Sequence, residues 1–216
     1  MINVFDINDN LVTNTHNING SSVYFIDNFY KNPDELVKLL KNTKCGLHKS
    51  EENPSFNGVY FEDKRHKFKH DGMNKVSKTI SEIIGQPVLH DTNQVMTNIS
   101  TYKSTEFNDY KNNYWWPHLD EGYNAIIYLN EEDTTGTNLY KTPERDELYF
   151  SDTGYPTEHY VPWQSKDNWE LVLTINSKYN RLVIFDGYEY FHGASITDET
   201  YFDGNYRMNQ VVFLKR

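Results

Sequence analysis

The chain has 216 residues and a formal net charge of −10, which is enough chain for one domain with a proper core. Its basic residues are dispersed apart from the run KRHKFKH at residues 64–70, so no basic stripe could neutralise a phosphate backbone, and duplex nucleic acid is excluded as a partner. The hydrophobic fraction is only 37%, but 17 Tyr, 12 Phe and 4 Trp favour a β-rich fold.

The opening stretch, MINVFDINDN, lacks the basic and apolar regions of a secretion signal. No apolar run approaches the roughly 18 residues that a membrane span needs. We therefore expect a cytoplasmic protein without a membrane association. Cys45 is the only cysteine, which excludes an internal disulfide, and we expect it to be a small buried hydrophobic residue.

Residues 1–20 are polar and rich in Asn, so they form either a loose arm or a strand added to a sheet edge. Residues 21–87 are predicted to supply a strand, Val23–Ile26, and two supporting helices. The first helix has Asn32 as N-cap, Pro33 at its first position and acidic residues in its first turn. Its buried stripe is predicted to consist of Leu36, Val37, Leu39 and Leu40.

The second helix is predicted over Met73–Ile84. Gly85 and Pro87 follow it directly, and both residue types end helices. We expect the two helices to pack on one face of a sheet.

Short apolar segments follow one another from residue 88 to residue 216, which we expect to form a jelly-roll core. They are separated by turns such as Asp186-Gly187, and this pattern predicts a sandwich or barrel. Residues 141–168 interrupt the pattern with a long aromatic insertion that is either a functional lid or docking surface, or cover for a bare sheet. The predicted strands are QVMTNISTY, NAIIYLN, TNLY, LVLTI, RLVIF and YRMNQVVFL.

A possible metal site begins with the stretch WWPHLD. If Trp116–Asp120 is extended, the side chains of His118 and Asp120 point to the same face of the chain. The segment RLVIFDGYEYFHGAS supplies a second imidazole, His192, beside small residues. Two histidines and one carboxylate form the facial triad of non-haem Fe(II) oxygenases. A core hydrogen-bond network without a metal is the alternative.

Two further histidines, His66 and His70, stand four residues apart, a spacing that binds zinc when the segment is helical. The intervening residues are basic and no third ligand is evident. We therefore favour a solvated charged face for this segment.

Arg207 begins an apolar strand and shares one face of it with Asn209, Val211 and Phe213. A guanidinium group can bind a carboxylate through two parallel hydrogen bonds, and Asn209 adds a donor. This pair therefore suits the distal carboxylate of a keto acid. A surface arginine on an edge strand is the alternative.

With these residues in place, the segment Val95–Leu214 resembles the Fe(II)/2-oxoglutarate-dependent oxygenase superfamily, near its prolyl-hydroxylase-like branch. The opening FIDNFYKNPDELVKLL also resembles the start of small oxygenase-like proteins from marine phages and bacteria. The features that match are Tyr102, the His118-x-Asp120 pair, AIIYLN with the following Gly136-Thr137, the RLVIFDGYEYFHG segment and Arg207-x-Asn209.

This resemblance implies a mainly β fold with flanking helices, a double-stranded β-helix (jelly roll, cupin-like). It implies that His118, Asp120 and His192 hold Fe(II) and that Arg207 holds the distal carboxylate of 2-oxoglutarate. The implied activity is hydroxylation of an amino acid, a peptide or a small metabolite, with release of succinate and CO2. The other residues implied are Asn209, Tyr102, Asn124 and Tyr128 at the co-substrate, and Trp115, Trp116 and Trp163 on the substrate side.

Three differences from known family patterns limit the activities that the resemblance implies. Prolyl hydroxylases commonly use Lys where this chain has Arg207, so a prolyl substrate is not implied. Nucleic-acid demethylases carry a second Arg where this chain has Phe213. Halogenases lack the carboxylate that Asp120 supplies here, so hydroxylation is expected.

Two other functions fit the same residues. A zinc-dependent hydrolase or lyase on a cupin-like barrel would use the same two histidines and aspartate. A non-catalytic binding module or phage structural module would retain only a vestigial site. The sequence selects neither a substrate nor an oligomeric state.

Overall fold

The computed structural model describes residues 3–42, 46–49, 62–67, 71–87, 94–101, 118–133, 135–141, 170–196 and 207–214. Within these ranges the chain forms eleven β-strands and two α-helices, so the prediction of a mainly β protein with helices is confirmed. Several predicted features lie outside the described residues, namely Cys45, His70, Tyr102, Trp115, Trp116, Trp163 and residues 142–168 of the insertion.

The strands form two antiparallel sheets. The larger sheet has eight strands in the order β1-β2-β9-β6-β11-β5-β4-β3, and the smaller has three in the order β10-β7-β8. The strands are β1 (Thr13–Ile18), β2 (Ser21–Ile26), β3 (Gly46–Lys49), β4 (Glu62–Lys67), β5 (Gln94–Thr101), β6 (Tyr123–Tyr128), β7 (Thr135–Lys141), β8 (Leu171–Ile175), β9 (Leu182–Asp186), β10 (Tyr190–Ile196) and β11 (Arg207–Leu214), and the helices are α1 (Pro33–Asn42) and α2 (Asp71–Ile84).

The polar N-terminal segment supplies strand β1 at one edge of the larger sheet. Of the two alternatives for residues 1–20, a loose arm or an added edge strand, the edge strand is therefore correct for residues 13–18. The hairpin that joins β1 to β2 turns at Asn19 and Gly20, whose φ angles are 51° and 89°. Both angles are positive, as a tight hairpin turn requires, and Asn and Gly adopt them more readily than other residues.

Helix α1 begins at Pro33, as predicted, with Asn32 directly before it. Leu36 and Leu40 lie one turn apart and are buried against the sheet. Leu39 is 38% exposed, so its predicted place in the buried stripe is wrong. The reason is geometric, because a helix this short contacts the sheet along a single narrow line of residues.

Helix α2 begins two residues earlier than predicted and ends where predicted. Gly85 has a φ of 68°, and the amide of Gln86 donates to the carbonyl of Ser81, so the helix closes with a left-handed cap. Neither described helix is long and apolar enough to cross a membrane.

All six strands predicted after residue 88 are present, but β3, β4 and β10 were not predicted. Strand β4 contains part of the basic run and His66, so the helical spacing of His66 and His70 does not apply. This segment lacks an apolar alternation of its own. It is extended because it pairs with β5 on one side and β3 on the other.

Alternating residues of the central strands divide the core into two layers. Along β6, Ala125 and Ile127 face the helices, whereas Ile126 and Tyr128 face the smaller sheet. Strands β9 and β11 alternate in the same way. The helices therefore pack on one face of the larger sheet, as predicted, and the opposite face is available for a site between the sheets.

An ion pair joins β2 to the turn before β9. The Arg181 guanidinium donates to both carboxylate oxygens of Asp27, at 2.6 and 3.2 Å, and the Lys178 ammonium donates at 2.7 Å. The Arg181 hydrogen bond is the main reason that the pKa of Asp27 falls from 3.8 to about 2. The carboxylate therefore stabilises the folded state above about pH 4 and loses this effect as the pH falls toward 2.

We predict that Asp27→Asn lowers the free energy of unfolding at pH 7 by about 1 kcal/mol, a value discounted because the side chain of Asp27 is 35% exposed. Urea unfolding of both proteins between pH 7 and pH 3 measures the difference. The difference should shrink as the pH falls below 5. A difference that is constant with pH would contradict the assignment of the low pKa to Asp27.

Candidate metal centre

Two backbone hydrogen bonds join the segment before β6 to β10. The amide of His118 donates to the carbonyl of His192 at 3.0 Å, and the amide of His192 donates to the carbonyl of His118 at 2.9 Å. The two residues therefore form an antiparallel bridge although they are far apart in sequence. As a result their imidazole rings lie side by side, with centroids 4.4 Å apart.

The segment from His118 to Asp120 alternates as an extended chain does. Leu119 is buried and packs with Tyr140 and Phe191 on one side. His118 and Asp120 project to the other side, as the sequence predicted. The amide of Asp120 donates to the carbonyl of Gly187 at 3.0 Å, which fixes the aspartate beside the end of β9.

His118, Asp120 and His192 each offer one ligand atom, and the three atoms lie within 4.8 Å of one another. The distance from Asp120 Oδ2 is 3.1 Å to His192 Nε2 and 3.8 Å to His118 Nε2. Side-chain exposure is 34% for His118 and 25% for Asp120, but only 5% for His192. Among the described residues, the group is therefore more open on the His118 side and is closed behind His192.

The carboxyl group of Asp120 is held in its charged form. Burial acts to raise its pKa, but the His192 hydrogen bond, the charges of both imidazoles and the Asn124 hydrogen bond outweigh burial. The net effect is a pKa well below the ordinary range. The group thus presents a negative charge between two imidazoles, which is the donor set that a divalent transition metal binds.

The ring of His192 lies between a backbone carbonyl and the carboxylate of Asp120. Its Nδ1 lies 3.1 Å from the carbonyl oxygen of Tyr190. A carbonyl can only accept, so Nδ1 carries a proton, and a neutral ring would present the lone pair of Nε2 to a metal. Phe185 packs edge-on against the ring at a centroid distance of 4.9 Å. This support resembles the outer contacts that orient metal-ligating histidines.

Asn124 lies on β6, is 2% exposed, and touches two of the three candidate ligands. Its Nδ2 donates to Asp120 Oδ2 at 2.7 Å and lies 2.8 Å from His192 Nε2. Its Oδ1 is buried and accepts no hydrogen bond within the described part of the chain. Asn124 therefore lies at the candidate ligands.

A second polar group, which we call the Arg207 cluster, consists of Arg207, Asn209, Tyr128 and Thr137. Arg207 donates from Nη2 to the carbonyl of Gly136 at 3.1 Å, and the hydroxyls of Tyr128 and Thr137 lie 2.8 Å apart. Burial raises the pKa of the Tyr128 phenol, which therefore stays protonated at neutral pH. Asn209 stands opposite Tyr128 in the pairing of β11 with β6.

The Arg207 cluster has buried polar atoms that find no partner within the described ranges. Arg207 Nε and Asn209 Oδ1 are buried and have no hydrogen-bond partner among the residues that the structure describes. Strand β11 lies between β6 and β5, so the edge-strand alternative for Arg207 is wrong. An unsatisfied buried donor is costly, so an acceptor is expected beside Arg207 Nε.

The structure thus groups His118, Asp120 and His192 with Asn124, and it places Arg207 with Tyr128 and Asn209. The predicted positions Tyr102, Trp115, Trp116 and Trp163 lie outside the described residues. Sequence reasoning missed the Thr137 hydroxyl as a partner of Tyr128, although the Gly-Thr pair was visible. It also missed the carbonyls of Tyr190 and Gly187, for which a sequence carries no signal.

Comparison with known proteins gives a family and similar solved structures. Residues 9–208 match a family of unknown function (DUF6445), and the chain belongs to this family. No curated protein matches the chain. A Pseudomonas putida prolyl-4-hydroxylase of known crystal structure is similar with a TM-score of 0.44 and 11% sequence identity, over 85% of this chain and 83% of that chain.

We predict that Gly136→Ala destabilises the protein by about 1–3 kcal/mol, because a Cβ here would stand 2.1 Å from the carbonyl oxygen of Ile175 on β8. Relief requires β7 to move and disturbs the carbonyl that Arg207 binds. Urea unfolding measures the change. Gly20→Ala is the control, with a φ of 89° but nothing within 4 Å of the added Cβ, and should cost only about 1 kcal/mol. Equal losses would contradict the steric argument.

Proposed function

We propose that this protein is an Fe(II)- and 2-oxoglutarate-dependent dioxygenase that hydroxylates an amino acid, a peptide or a small metabolite. One observation carries the proposal. Two imidazoles and one ionised carboxylate converge at the edge of the space between the sheets, with ligand atoms within 4.8 Å of one another. Two histidines and one carboxylate on one side of an ion leave its other positions open, which is the arrangement that non-haem Fe(II) oxygenases use.

The chemistry of the ligand atoms fits Fe(II). Asp120 Oδ2 and His192 Nε2 lie 3.1 Å apart. Two electron-rich atoms at this distance repel each other unless a proton or a cation lies between them. His118 adds a third donor from the more exposed side. We therefore assign His118, Asp120 and His192 as the residues that would hold the metal.

The Arg207 cluster fits the second carboxylate of a keto acid. Its unsatisfied Arg207 Nε is a buried donor, and the Tyr128 phenol is a second donor that burial keeps protonated. Asn124 and Tyr128 lie on the same face of β6, so the metal ligands and the Arg207 cluster line one space. A diacid that is bound to the metal at one end would place its other carboxylate near Arg207.

The proposed reaction consumes 2-oxoglutarate, O2 and a substrate C–H, and gives succinate, CO2 and a hydroxylated substrate. Fe(II) supplies the redox chemistry. The protein contributes binding and shielding. Arg207, Tyr128 and Thr137 orient the co-substrate, and the apolar layer between the sheets, including Leu139 and Val211, excludes water from it.

We also propose a specific type of fold. Two antiparallel sheets that share a buried layer, with helices outside the larger one, are consistent with a double-stranded β-helix. We further propose that a small-molecule or peptide substrate approaches from the exposed side of His118.

A zinc hydrolase or lyase remains the competing function, because the same three ligands suit zinc. The buried Nε of Arg207 favours the oxygenase. A zinc enzyme of this type needs only an activated water at the metal, which supplies no acceptor for this Nε, and the described residues supply none either.

We predict that anaerobic addition of Fe(II) and 2-oxoglutarate gives the weak visible charge-transfer band of a chelated keto acid. His118→Ala, Asp120→Ala and His192→Ala should each abolish it, because each removes one of three ligands. Absorption difference spectra under anaerobic conditions measure the band.

His16→Ala is the matched control, because His16 is exposed on the edge strand β1. It should leave the band unchanged. A band that survives in all three ligand variants would end the assignment of the metal centre. Zinc that binds with full occupancy while no band forms with Fe(II) would favour the hydrolase.

We predict that Arg207→Ala raises the dissociation constant for 2-oxoglutarate on the order of a hundredfold or more while metal affinity is nearly unchanged. The two charge-assisted hydrogen bonds that are lost contribute roughly 1.5–3 kcal/mol each, and about 1.4 kcal/mol corresponds to a factor of ten. Arg207→Lys should recover only part of the affinity, because an ammonium lacks the planar fork.

Titration of 2-oxoglutarate into the Fe(II) forms measures these affinities. Arg181→Ala is the control, since Arg181 pairs with Asp27 instead. It should reduce stability without changing the affinity for 2-oxoglutarate. Equal affinities in wild type and Arg207→Ala would remove Arg207 from the site.

A further inference from the structure

Asn124 is a fourth polar group at the metal centre, and its contacts go beyond those of a neighbouring support. One end of its amide lies 2.7 Å from Asp120 Oδ2 and 2.8 Å from His192 Nε2. Those two atoms are 3.1 Å apart. The three atoms therefore form a nearly equilateral triangle.

This triangle has the size of one face of an octahedral coordination shell. Adjacent ligands around an ion with bonds of about 2.1 Å lie about 3.0 Å apart. The amide end of Asn124 thus stands at a distance from Asp120 and His192 that a neighbouring ligand would have. An amide that only supported the carboxylate from behind would contact Asp120 but not His192 Nε2.

The present amide orientation is incompatible with a cation bound to His192. The proton on His192 Nδ1 faces the carbonyl of Tyr190, so a neutral ring would bind a cation through Nε2. In the structure Nε2 lies 2.8 Å from the Asn124 amide nitrogen. The amide NH2 would point its protons at a cation on Nε2, so the amide has to turn.

A half-turn about the last side-chain torsion of Asn124 exchanges its nitrogen and oxygen, because the two ends of an amide are nearly the same size. Oδ1, now buried and without a partner in the described ranges, would then face the cation. An amide oxygen is a hard, neutral donor that suits divalent metals.

We propose that Asn124 Oδ1 is a fourth protein ligand of the metal, adjacent to Asp120 and His192. This inference rests on the proposed function, because it requires a metal on the triad. A neutral amide is the weakest of the four donors, so it is the ligand that a further exogenous group would displace. Asn124 thereby determines how many coordination positions of the metal are open to other ligands before the substrate binds.

The test counts the water molecules on bound Mn(II) by water-proton relaxation, with no turnover required. Four protein ligands on a six-coordinate ion leave two waters in the wild type, whereas three ligands leave three. Asn124→Ala should show three waters and bind Mn(II) on the order of tenfold more weakly. Asn124→Asp, which keeps the shape and adds charge, should keep two waters and bind more tightly.

Asn138→Ala is the matched control, because the Asn138 amide bonds Tyr140 and Thr174 instead. It should leave the water count and the affinity unchanged. Three waters in the wild type would overturn the role of Asn124 even if Asn124→Ala does not fold. Mn(II) binding that His118→Ala and His192→Ala leave unchanged would instead overturn the metal centre itself, and with it this proposal.

Discussion

The paired backbone hydrogen bonds between His118 and His192 are the constraint on which the rest of the site depends. One residue precedes β6 of the larger sheet and the other lies in β10 of the smaller sheet. Residues that exchange both backbone hydrogen bonds have Cα atoms about 5.5 Å apart. The bridge therefore fixes two imidazoles from different sheets side by side, and alternation along the chain then directs Asp120 to the same point.

The two faces of the larger sheet differ in polarity: one face packs against the helices and the other carries the residues of the candidate site. Along β6, β9 and β11 the face under the helices is mostly apolar, and Gln210 on this face accepts a hydrogen bond from the buried Tyr30 hydroxyl. The opposite face of β6 and β11 carries Asn124, Arg207 and Asn209, whose buried atoms are only partly satisfied. Buried polar atoms without partners lower the free energy of unfolding. The apolar packing under the helices therefore offsets the stability that is lost in the layer between the sheets.

Sequence patterns predicted most of the strands and helices and the three candidate metal ligands. They did not predict the contacts among these ligands and their neighbours. Strands β6, β9 and β11 were predictable because their apolar residues form runs of strand length, and α1 because Asn32 and Pro33 define its start. Strands β3 and β4 were not predictable. They are extended because they pair with neighbouring strands, not because their own residues form an apolar pattern. The position of Asn124 depends on register between distant strands, which no local pattern reports.

The charge of the proposed site favours a dianionic co-substrate. Asp120 contributes one negative charge and the two ligating imidazoles are neutral, so a divalent ion leaves one positive charge at the triad. Arg207 adds a second, and its hydrogen bond to the Gly136 carbonyl does not neutralise it. Two positive charges in a partly buried space are costly unless they are paired. A keto diacid carries two negative charges, one at each end, and would neutralise both positions at once, whereas a monoanionic chelator would leave Arg207 uncompensated.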